Sequence, residues 1–388
     1  MKILADSRIT HAAEAFSQLG EVSLFELPLD LELTRDVDIL VLRTDLRLDA
    51  SLLGLCSPTF VGCPAVGTDH VDFEYLRARG IAFAHAPGSN ADSVRDLVMA
   101  ALLRLAAREG RSLGGLTLGV VGVGAIGSRV AAAASALGLK VLLNDPPRAR
   151  REPDFPSLPL DELMGADFLS LHVPLIHQGR DRTHHLFDRE RLGRIRDGAV
   201  LVNASRGAVV DGAALKAPLR EGRLKAVLDV WENEPGIDYE LLELVQIGTP
   251  HVGGQALEAR ERGTEVIFRA CCRHLGVEPA WSFGATSPAR TLAVPENHGR
   301  QDEKLDRLVR EAYDIEQDDR SLRELLQVPA RERVERYHRL RRIYRRHEFS
   351  AFAVELPAGS PLDGPCRALG FQVEPQAGAG RARPEQQN

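Results

Sequence analysis

The sequence predicts an α/β protein with two doubly wound parallel sheets, a cleft between them, and a small α+β domain at the C-terminal end. Two observations predict this fold. Short apolar runs alternate with amphipathic stretches from residue 1 to about residue 280, and a glycine-rich turn follows one apolar run in the middle of the chain. Such alternation is typical of parallel sheets of the Rossmann or flavodoxin type, which carry helices on both faces.

The first series of strands and helices begins at the N-terminus. Its apolar runs are KILA, VSLFEL, DILVLR, TFVGC and IAFAHAP, and helical stretches such as HAAEAFSQLG and DFEYLRARG lie between them, each ending in glycine. A long amphipathic helix, Ala91–Gly110, then leads into a second series. The region Ala256–Leu275 is predicted to be a helix that returns to the first series. We therefore expect a discontinuous substrate-binding domain, 1–92 with 256–280, and an inserted domain, 93–255.

The last part of the chain has a different pattern. Apolar residues recur at helical spacing in KLDRLVREAYDI, at Leu305, Leu308, Val309, Ala312 and Ile315. A basic helix, RVERYHRLRRIYRRHE, and a strand, FSAFAVEL, complete a predicted domain over 281–374. The tail, 375–388, is rich in Gly, Pro and Gln and is predicted to be disordered.

Composition excludes several classes of function. The 388 residues are 44% hydrophobic, which supports a sizeable core, and the net charge of −6 without a basic stripe argues against nucleic-acid binding. The five cysteines form no CxxC pair, which favours a reducing cytoplasm over a disulfide framework. The N-terminus does not resemble a signal peptide, and no apolar run is long enough for a membrane span.

A dinucleotide-binding turn is predicted in TLGVVGVGAIGSRV. Gly122, Gly124 and Gly127 follow a strand and open an alanine-rich helix, whose N-terminal N–H groups attract a pyrophosphate. Asp145 lies at the end of the next strand, where it can accept hydrogen bonds from ribose hydroxyls and repel a 2′-phosphate. This pattern favours NAD over NADP, although Arg148 nearby weakens the preference.

Three polar residues follow apolar runs of the second series: Arg206 in NASRGAVVD, Glu234 in DVWENEP and His251 in TPHVGG. Ligands bind at the carboxyl ends of strands in open parallel sheets, so all three should face one crevice. Arg206 can bind a carboxylate through both arms of its guanidinium, and His251 can take a hydroxyl proton while Glu234 holds its ring. Each has a structural alternative, as a loop arginine, a helix-start carboxylate or a loop histidine, but together they predict oxidation of a 2-hydroxy acid.

Other polar residues fit structural roles better. His172 ends a strand and is expected to line a nicotinamide pocket. His184 and His185 are adjacent but lack a carboxylate or cysteine at ligand spacing, so no metal site is predicted. The basic helix is expected to present a solvated or interface face, with the alternative that one arginine reaches an anionic substrate; its arginines include Arg339, Arg341, Arg342, Arg345 and Arg346.

With these motifs, the chain resembles the D-isomer-specific 2-hydroxyacid dehydrogenases. The Arg, Glu and His motifs carry the resemblance, and FVGCPAVGTDHVD, LLNDPPRAR, ELVQIGTPHVGG and REAYDIEQDDRSLRELL narrow it to a branch that oxidises 4-phospho-D-erythronate on the route to pyridoxal phosphate. The resemblance implies catalytic roles for Arg206, Glu234 and His251, and homodimerisation through the last domain. It also implies NAD contacts, which together with the glycine-rich turn comprise Gly122, Gly124, Ala125, Ile126, Gly127, Asp145, Val173, Ala204, Ser205, Arg206, Asp229 and Gly254.

The predicted substrate contacts are Arg43, Thr44, Ala65 and Gln255, and the last two depart from the family pattern. Ala65 replaces a threonine and Gln255 replaces a tyrosine; Thr44 keeps the hydroxyl of a serine, and Val173 loses a threonine hydroxyl toward the cofactor. Two alternatives therefore stay open. In the first alternative, the chain is a dehydrogenase of another 2-hydroxy acid. In the second, it is a non-catalytic protein that binds a partner in response to NAD(H).

Overall fold

The computed structural model describes residues 1–284, 290–294 and 299–376 and places a five-stranded parallel sheet at the N-terminal end. The strand order is β2-β1-β3-β4-β5. The strands are β1 (Lys2–Asp6), β2 (Glu21–Phe25), β3 (Ile39–Val41), β4 (Phe60–Cys63) and β5 (Ala82–His85), and the helices between them are α1 (Ala12–Phe16), α2 (Ala50–Leu53) and α3 (Phe73–Ala78). Aspartate side chains start two of these helices, since Asp49 accepts from Ser51 N and Asp72 from Tyr75 N, each at 2.9 Å. The order in which the chain adds strands to the sheet reverses between β1 and β3, which creates a crevice at their carboxyl ends.

A second, six-stranded parallel sheet has the order β11-β10-β9-β8-β6-β7. Its strands are β6 (Thr117–Val121), β7 (Lys140–Asn144), β8 (Phe168–Leu171), β9 (Val200–Asn203), β10 (Lys225–Leu228) and β11 (Ile247–Gly248). Its helices are α4 (Ala91–Arg108), α5 (Ala125–Ala136), α6 (Pro146–Arg151), α7 (Arg189–Arg194), α8 (Gly212–Arg220) and α9 (Tyr239–Leu244). The point of reversal lies between β6 and β8, so the glycine-rich turn after β6 opens into that crevice.

Helix α10 (Leu257–Leu275) packs against the first sheet. Ile267 and Phe268 are fully buried in one core with Ile3, Ile39 and Phe60. The helix therefore takes the chain back from the second sheet to the first, as predicted from the apolar pattern of residues 256–275. The boundaries of the predicted domains stay a prediction.

The C-terminal part contains a third parallel sheet, in the order β12-β13-β14, and four helices. They are β12 (Arg290–Leu292), α11 (Gln301–Ala312), α12 (Ile315–Arg323), α13 (Ala330–Ile343), β13 (Phe352–Leu356), α14 (Asp363–Leu369) and β14 (Gln372–Pro375). Leu292, Val354 and Leu369 share a core with α4 and α5, whereas Leu322 and Tyr337 join the core on the other face of the second sheet. This part thus contacts the second sheet on both faces.

Three local predictions in this part are wrong. The helix predicted across Ala312 and Ile315 is two helices, because the Asp314 side chain accepts from Glu316 N at 3.2 Å and starts α12. The basic helix ends at Ile343, and residues 344–348 run on without helix because Arg346 and Glu348 are buried among α4 and α10. Pro375, placed in the tail, pairs with Leu356 at the end of β14, and residues 377–388 of the tail lie outside the described residues.

Two further findings concern the whole described part of the chain. None of its helices is both long and apolar enough to span a bilayer. Its five cysteines are buried and carry free thiols.

Candidate active site

One large cavity, about 970 Å³, lies between the first two sheets. The loops after β1, β3 and β4 line one wall, and the loops after β6, β8, β9, β10 and β11 line the other. Helix α10 contributes Ala259, Arg260 and Thr264, and α13 contributes Arg341. Because the strands of both sheets end at this cavity, the polar residues that follow them converge there.

The glycine-rich turn fits a dinucleotide. Gly122 has φ of +84°, and a Cβ there would lie 2.5 Å from the carbonyl oxygen of His172, so only glycine is accommodated. A Cβ on Gly127 would lie 2.0 Å from the Gly122 oxygen, which explains the close packing of α5 on the turn. Gly124 has open space beside it, with no atom within 4 Å of an added Cβ, and caps α5 without a side-chain bond. The turn therefore leaves room for a pyrophosphate at the α5 N-terminus.

Asp145 holds its carboxylate against this turn. One oxygen accepts from Val123 N at 2.8 Å, and the other accepts from Arg148 N at 2.9 Å. The Arg148 guanidinium stacks on Phe155 at 4.2 Å and donates to the Val123 oxygen at 2.8 Å. Asp145, the predicted acceptor for the ribose hydroxyls, is thus fixed beside the glycines. The Arg148 guanidinium is engaged by Phe155 and by the Val123 oxygen.

Arg206 reaches across the cleft. Its Nε and Nη2 both donate to Oδ2 of Asp69, at 3.1 Å each, and Asp69 belongs to the loop after β4. A Cβ on Gly67 would lie 2.0 Å from Nη2 of Arg206, so a glycine at that position leaves room for the guanidinium. The arginine fork predicted to bind a carboxylate therefore already holds one, supplied by the opposite wall.

His251 and Glu234 form a pair. Nδ1 of His251 donates to Oε1 of Glu234 at 2.5 Å, which leaves Nε2 as the ring nitrogen available to a substrate. Burial raises the pKa of Glu234, but His251, Arg341 and Tyr337 together outweigh burial and lower it below its usual value. Glu234 is therefore ionised at neutral pH and can hold the imidazole in one tautomer, as the sequence predicts.

Asp229 organises the loop that carries His251. Its buried carboxylate accepts from Thr249 Oγ1 at 2.6 Å, from Val252 N at 2.8 Å and from Gly253 N at 3.0 Å. His251 N donates to the Asp229 carbonyl oxygen at 2.7 Å, and His251 takes a left-handed φ of 54°. Asp229 also lines the cavity, so its predicted contact with the cofactor is combined with a structural role.

His172 lines the cavity in a form unsuited to proton transfer. Burial lowers its pKa to about 3, and its Nε2 lies 2.9 Å from Ser170 Oγ. The imidazole is therefore neutral at physiological pH. This agrees with the predicted lining role of His172, and proton transfer by His251 stays a prediction.

The end of the cavity near the first sheet is strongly cationic. Arg8 and Arg43 follow β1 and β3, where the chain reverses, and Arg260 and Arg341 face them from α10 and α13. Burial, together with the charges of Arg43 and Arg345, lowers the pKa of Arg260 to about 10, and burial also lowers that of Arg43. Arg8 is paired with Asp6 and Asp45, whereas Arg43 lies 4.0 Å from the nearest carboxylate. Such clustered arginines favour an anionic ligand with several oxygens.

The remaining predicted contacts also line this cavity. They are Arg43, Thr44, Ala65, Ala125, Ile126, Val173, Ala204, Ser205, Gly254 and Gln255. Oε1 of Gln255 accepts from Nη2 of Arg260 at 3.2 Å, and so it helps to orient the arginine. Which of these residues contact a cofactor or substrate stays a prediction.

Sequence reasoning missed Asp69, Arg260 and Tyr337. Asp69 lies in FVGCPAVGTDH, Arg260 lies on α10 close to Gln255, and Tyr337 lies in the basic helix. The one sequence signal that could have indicated Arg260 is the predicted helix over residues 256–275, which takes the chain back to the first sheet. For the basic helix, the alternative that one arginine reaches the substrate site corresponds to Arg341, whose Nε is buried without a partner among the described residues.

A second histidine–glutamate pair lies near the cavity. Nε2 of His185 is 2.7 Å from Oε1 of Glu232, and the rings of His184 and His185 stack at 4.1 Å. The ligand atoms of these three residues lie within 4.8 Å of one another. The sequence argument that no carboxylate accompanies the two histidines is therefore wrong, because strand β10 brings Glu232 to them from a distant part of the chain.

Comparisons with known families agree with this geometry. Residues 89–253 match the family described as "D-isomer specific 2-hydroxyacid dehydrogenase, NAD binding domain", and residues 288–368 match a domain of unknown function. The erythronate-4-phosphate dehydrogenase of Salinibacter ruber is 47% identical over 89% of this chain and 91% of its own. That of Escherichia coli O127:H6 is 42% identical over 96% of this chain and 98% of its own.

Solved structures show the same fold. The Thermus thermophilus TT0316 protein is 33% identical, with a TM-score of 0.63, over 72% of this chain and 99% of its own. A D-lactate dehydrogenase of Aquifex aeolicus, solved with NAD and lactic acid, is 26% identical, with a TM-score of 0.59, over 71% of this chain and 96% of its own. These relatives support NAD as the cofactor of an NAD-dependent dehydrogenase, and the contacts of the glycine-rich turn and Asp145 with NAD stay a prediction.

Proposed function

The chain belongs to the D-isomer-specific 2-hydroxyacid dehydrogenase family, and we propose that within it the chain oxidises 4-phospho-D-erythronate to 2-oxo-3-hydroxy-4-phosphobutanoate, in the biosynthesis of pyridoxal 5′-phosphate. One observation carries the proposal. The His251–Glu234 pair and the arginines Arg43, Arg260 and Arg341 line the same cavity. A substrate that is both a 2-hydroxy acid and a phosphate ester has chemical groups for both parts.

The three polar residues that follow strands of the second sheet, Arg206, Glu234 and His251, each have a task in this reaction. Arg206 binds the substrate carboxylate with two parallel hydrogen bonds, in place of its bonds to Asp69. His251 takes the proton of the C2 hydroxyl as the C2 hydrogen departs as a hydride, and C2 becomes a carbonyl. NAD, when bound at the glycine-rich turn, supplies the hydride acceptor. Glu234 stabilises the imidazolium that results.

The arginine cluster supports a phosphorylated substrate over a small unphosphorylated one. Burial lowers the pKa of both Arg43 and Arg260, and neighbouring cations lower it further, since the charge of Arg43 acts on Arg260 and the charges of Arg8 and Arg341 act on Arg43. A phosphate dianion between them would replace repulsion by charge-assisted hydrogen bonds. A short unphosphorylated acid would leave these arginines without an anionic partner.

This cluster gives a specific prediction for Arg260→Met. We expect kcat/KM for 4-phosphoerythronate to fall about 10- to 100-fold, because one charged hydrogen bond to a phosphate is lost. We expect kcat/KM for unphosphorylated D-erythronate to change less than about threefold. The measurement is the rate of NADH formation with each acid.

Arg269→Met is the matched control, since Arg269 lies on the same helix but is paired with Glu265. It should leave both rates near wild type. Equal losses of activity on both acids in Arg260→Met would contradict a phosphate-binding role for Arg260.

The same assay separates the proposal from its alternatives. Ala65 and Gln255, which depart from the family pattern, favour a different 2-hydroxy acid as the second candidate. A panel of phosphorylated and unphosphorylated acids tests this, because turnover of another acid without turnover of 4-phosphoerythronate would replace the proposed substrate. Tight NADH binding without turnover of any acid would favour the non-catalytic alternative.

We also propose a cytoplasmic homodimer that assembles through residues 281–374. The resemblance to the family supports it, as do Val334 and Ile343 on α13, which are 43% and 61% exposed despite being apolar. The five free thiols suit a reducing compartment. The mass of the full chain in solution, measured by light scattering, should equal two copies, and a monomer would contradict the assembly.

A further inference from the structure

We propose that Tyr337 of the C-terminal part is a positioning residue for catalysis, which acts on His251 through Glu234. This inference rests on the proposed role of the His251–Glu234 pair, but it does not depend on the identity of the acid. It goes beyond the proposed function because it assigns the C-terminal part an effect on the active-site chemistry, exerted through Glu234.

The hydrogen bonds of Glu234 carry the inference. Oε1 accepts from Nδ1 of His251 at 2.5 Å, and Oε2 accepts from the hydroxyl of Tyr337 at 2.9 Å. Both oxygens of the carboxylate are therefore engaged, one by the proton carrier and one by the phenol. Tyr337 itself is fully buried and lies behind Glu234, outside the residues that line the cavity. It can act on a substrate only through Glu234.

The position of Tyr337 is fixed by contacts between α12, α13 and the edge of the second sheet. Asp319 accepts from Gly248 N at 2.7 Å, on the edge strand β11 that leads to His251. Arg323 donates to the carbonyl oxygens of Leu242 and Val245 at 2.8 and 2.9 Å. These bonds fix α12 to the edge of the sheet. The phenol of Tyr337 thereby approaches Glu234 from a fixed direction.

Further bonds hold α13, and charged groups surround the pair. The Arg333 guanidinium lies over the Tyr239 ring at 4.4 Å. The charge of Arg341, also on α13, lowers the pKa of both Glu234 and Tyr337. The charge of Asp229, at the end of β10, raises the pKa of Tyr337. Arg206 lines the cavity from the loop after β9, the strand next to β10. Burial and the charge of Glu234 raise the pKa of Tyr337 well above its usual value, so the phenol stays a donor.

The hydrogen bond from the phenol changes the protonation of His251 in a definite direction. A phenol that donates to Oε2 withdraws negative charge from the carboxylate and weakens its hold on a protonated imidazole. Without the phenol, the carboxylate stabilises the protonated ring more strongly, so a higher pH is needed to obtain the neutral ring that oxidation requires. The phenol thus tunes the pH range in which His251 works as a base.

Tyr337→Phe tests this with little change in shape. We expect kcat to fall about tenfold, because the carboxylate loses one of its two anchors, with KM and the Kd of NADH almost unchanged. The rising limb of kcat/KM for oxidation should move to higher pH by about half a unit to one unit. Replacement of Tyr337 by 3-fluorotyrosine, a stronger donor of nearly the same shape, should move the limb to lower pH.

Tyr344→Phe is the matched control. Tyr344 is another C-terminal tyrosine, and its hydroxyl donates to Asp318 at 2.7 Å rather than to the catalytic pair. Its loss should lower the melting temperature without moving the pH limb. If Tyr337→Phe and 3-fluorotyrosine at 337 leave the pH limb where it is, or if both move it in the same direction, the proposal is overturned.

A second readout separates this inference from the proposed function. The titration of the His251 ring, followed by ¹⁵N NMR on the full-length protein without substrate, needs no turnover. A shift of that titration in Tyr337→Phe, but not in Tyr344→Phe, supports the role of Tyr337 even if 4-phosphoerythronate is not oxidised. No shift rejects it even if 4-phosphoerythronate is the substrate.

Discussion

Replacement of His251 by Asn should reduce kcat/KM for the oxidised acid by about 10²- to 10⁴-fold, the usual contribution of a positioned acid–base group. Asparagine keeps a polar side chain near Glu234 but cannot take a proton from the C2 hydroxyl. The backbone of the loop is held by Asp229 and not by the imidazole, so the loop should keep its shape. NADH binding, measured by fluorescence titration, should therefore stay within about twofold of wild type.

His185→Asn provides a close control for this prediction. His185 and Glu232 form a pair of the same kind, with 2.7 Å between Nε2 and Oε1, but His185 does not line the cavity among the described residues. We expect its loss to change turnover less than about fivefold. Near wild-type turnover in His251→Asn would reject the assignment of the proton carrier, and a large loss in His185→Asn alone would transfer it to the second pair.

The strand-end rule explains why much of the site was predictable. Arg206, Glu234 and His251 each follow a strand of one parallel sheet, and such ends meet at one edge whatever the details of packing. Gly122 and Gly127 were predictable for a related reason, since a positive φ at the first and a close backbone contact at the second require glycine. These inferences depend on local sequence and on the topology of one sheet.

Residues that come from other parts of the fold could not be found in this way. Asp69 contacts Arg206 only because the first two sheets face each other across the cleft. Tyr337 contacts Glu234 only because α13 packs on the second sheet. No local pattern records either contact. Sequence likewise could not show that Asp229 accepts three hydrogen bonds from the loop of His251.

The basic helix illustrates the limit most clearly. Its arginines look alike in sequence, yet Arg341 lines the cavity, Arg342 pairs with Glu335, and Arg339 and Arg345 are exposed. Arg346 lies beyond the end of the helix at Ile343 and is buried. The point at which the helix ends therefore decides which arginine enters the core, and that point depends on tertiary contacts rather than on the spacing of charges.

Arg346→Met should lower the free energy of unfolding by about 3 kcal/mol, at the lower end of the cost of removing one partner from a buried charge network. Nη2 of Arg346 donates to the carbonyl oxygen and hydroxyl of Ser93 at 2.9 and 2.8 Å and to the Gly253 oxygen at 3.0 Å. The guanidinium also stacks on Tyr313 at 4.2 Å. The lower end applies because Nε and Nη1 lack partners among the described residues, so part of the desolvation cost is not offset.

The loss of unfolding free energy in Arg346→Met should depend on pH. Burial raises the pKa of Asp96 to about 7, despite the opposing charges of Arg95 and Arg346. A carboxyl whose pKa is raised by folding contributes stability at low pH and loses it as pH rises through the folded pKa. Without Arg346 that pKa rises further. The difference between wild type and variant should therefore widen from pH 7 to pH 9, which urea unfolding at both pH values measures.

The same substitution should also affect catalysis, because Gly253 lies two residues after His251. Its carbonyl oxygen accepts from both Arg346 and Ser93 Oγ, so the loop is loosened but keeps one of its bonds, and we expect kcat to fall several-fold rather than to vanish. Arg345→Met is the control, since the neighbouring exposed arginine bonds only to carbonyl oxygens of nearby residues, and its effect should stay below about 0.5 kcal/mol. Equal stability of the two variants would mean that the buried guanidinium contributes no more than its exposed neighbour. The C-terminal part would then hold the strand that leads to His251 through the bond of Asp319 to Gly248 N rather than through this guanidinium.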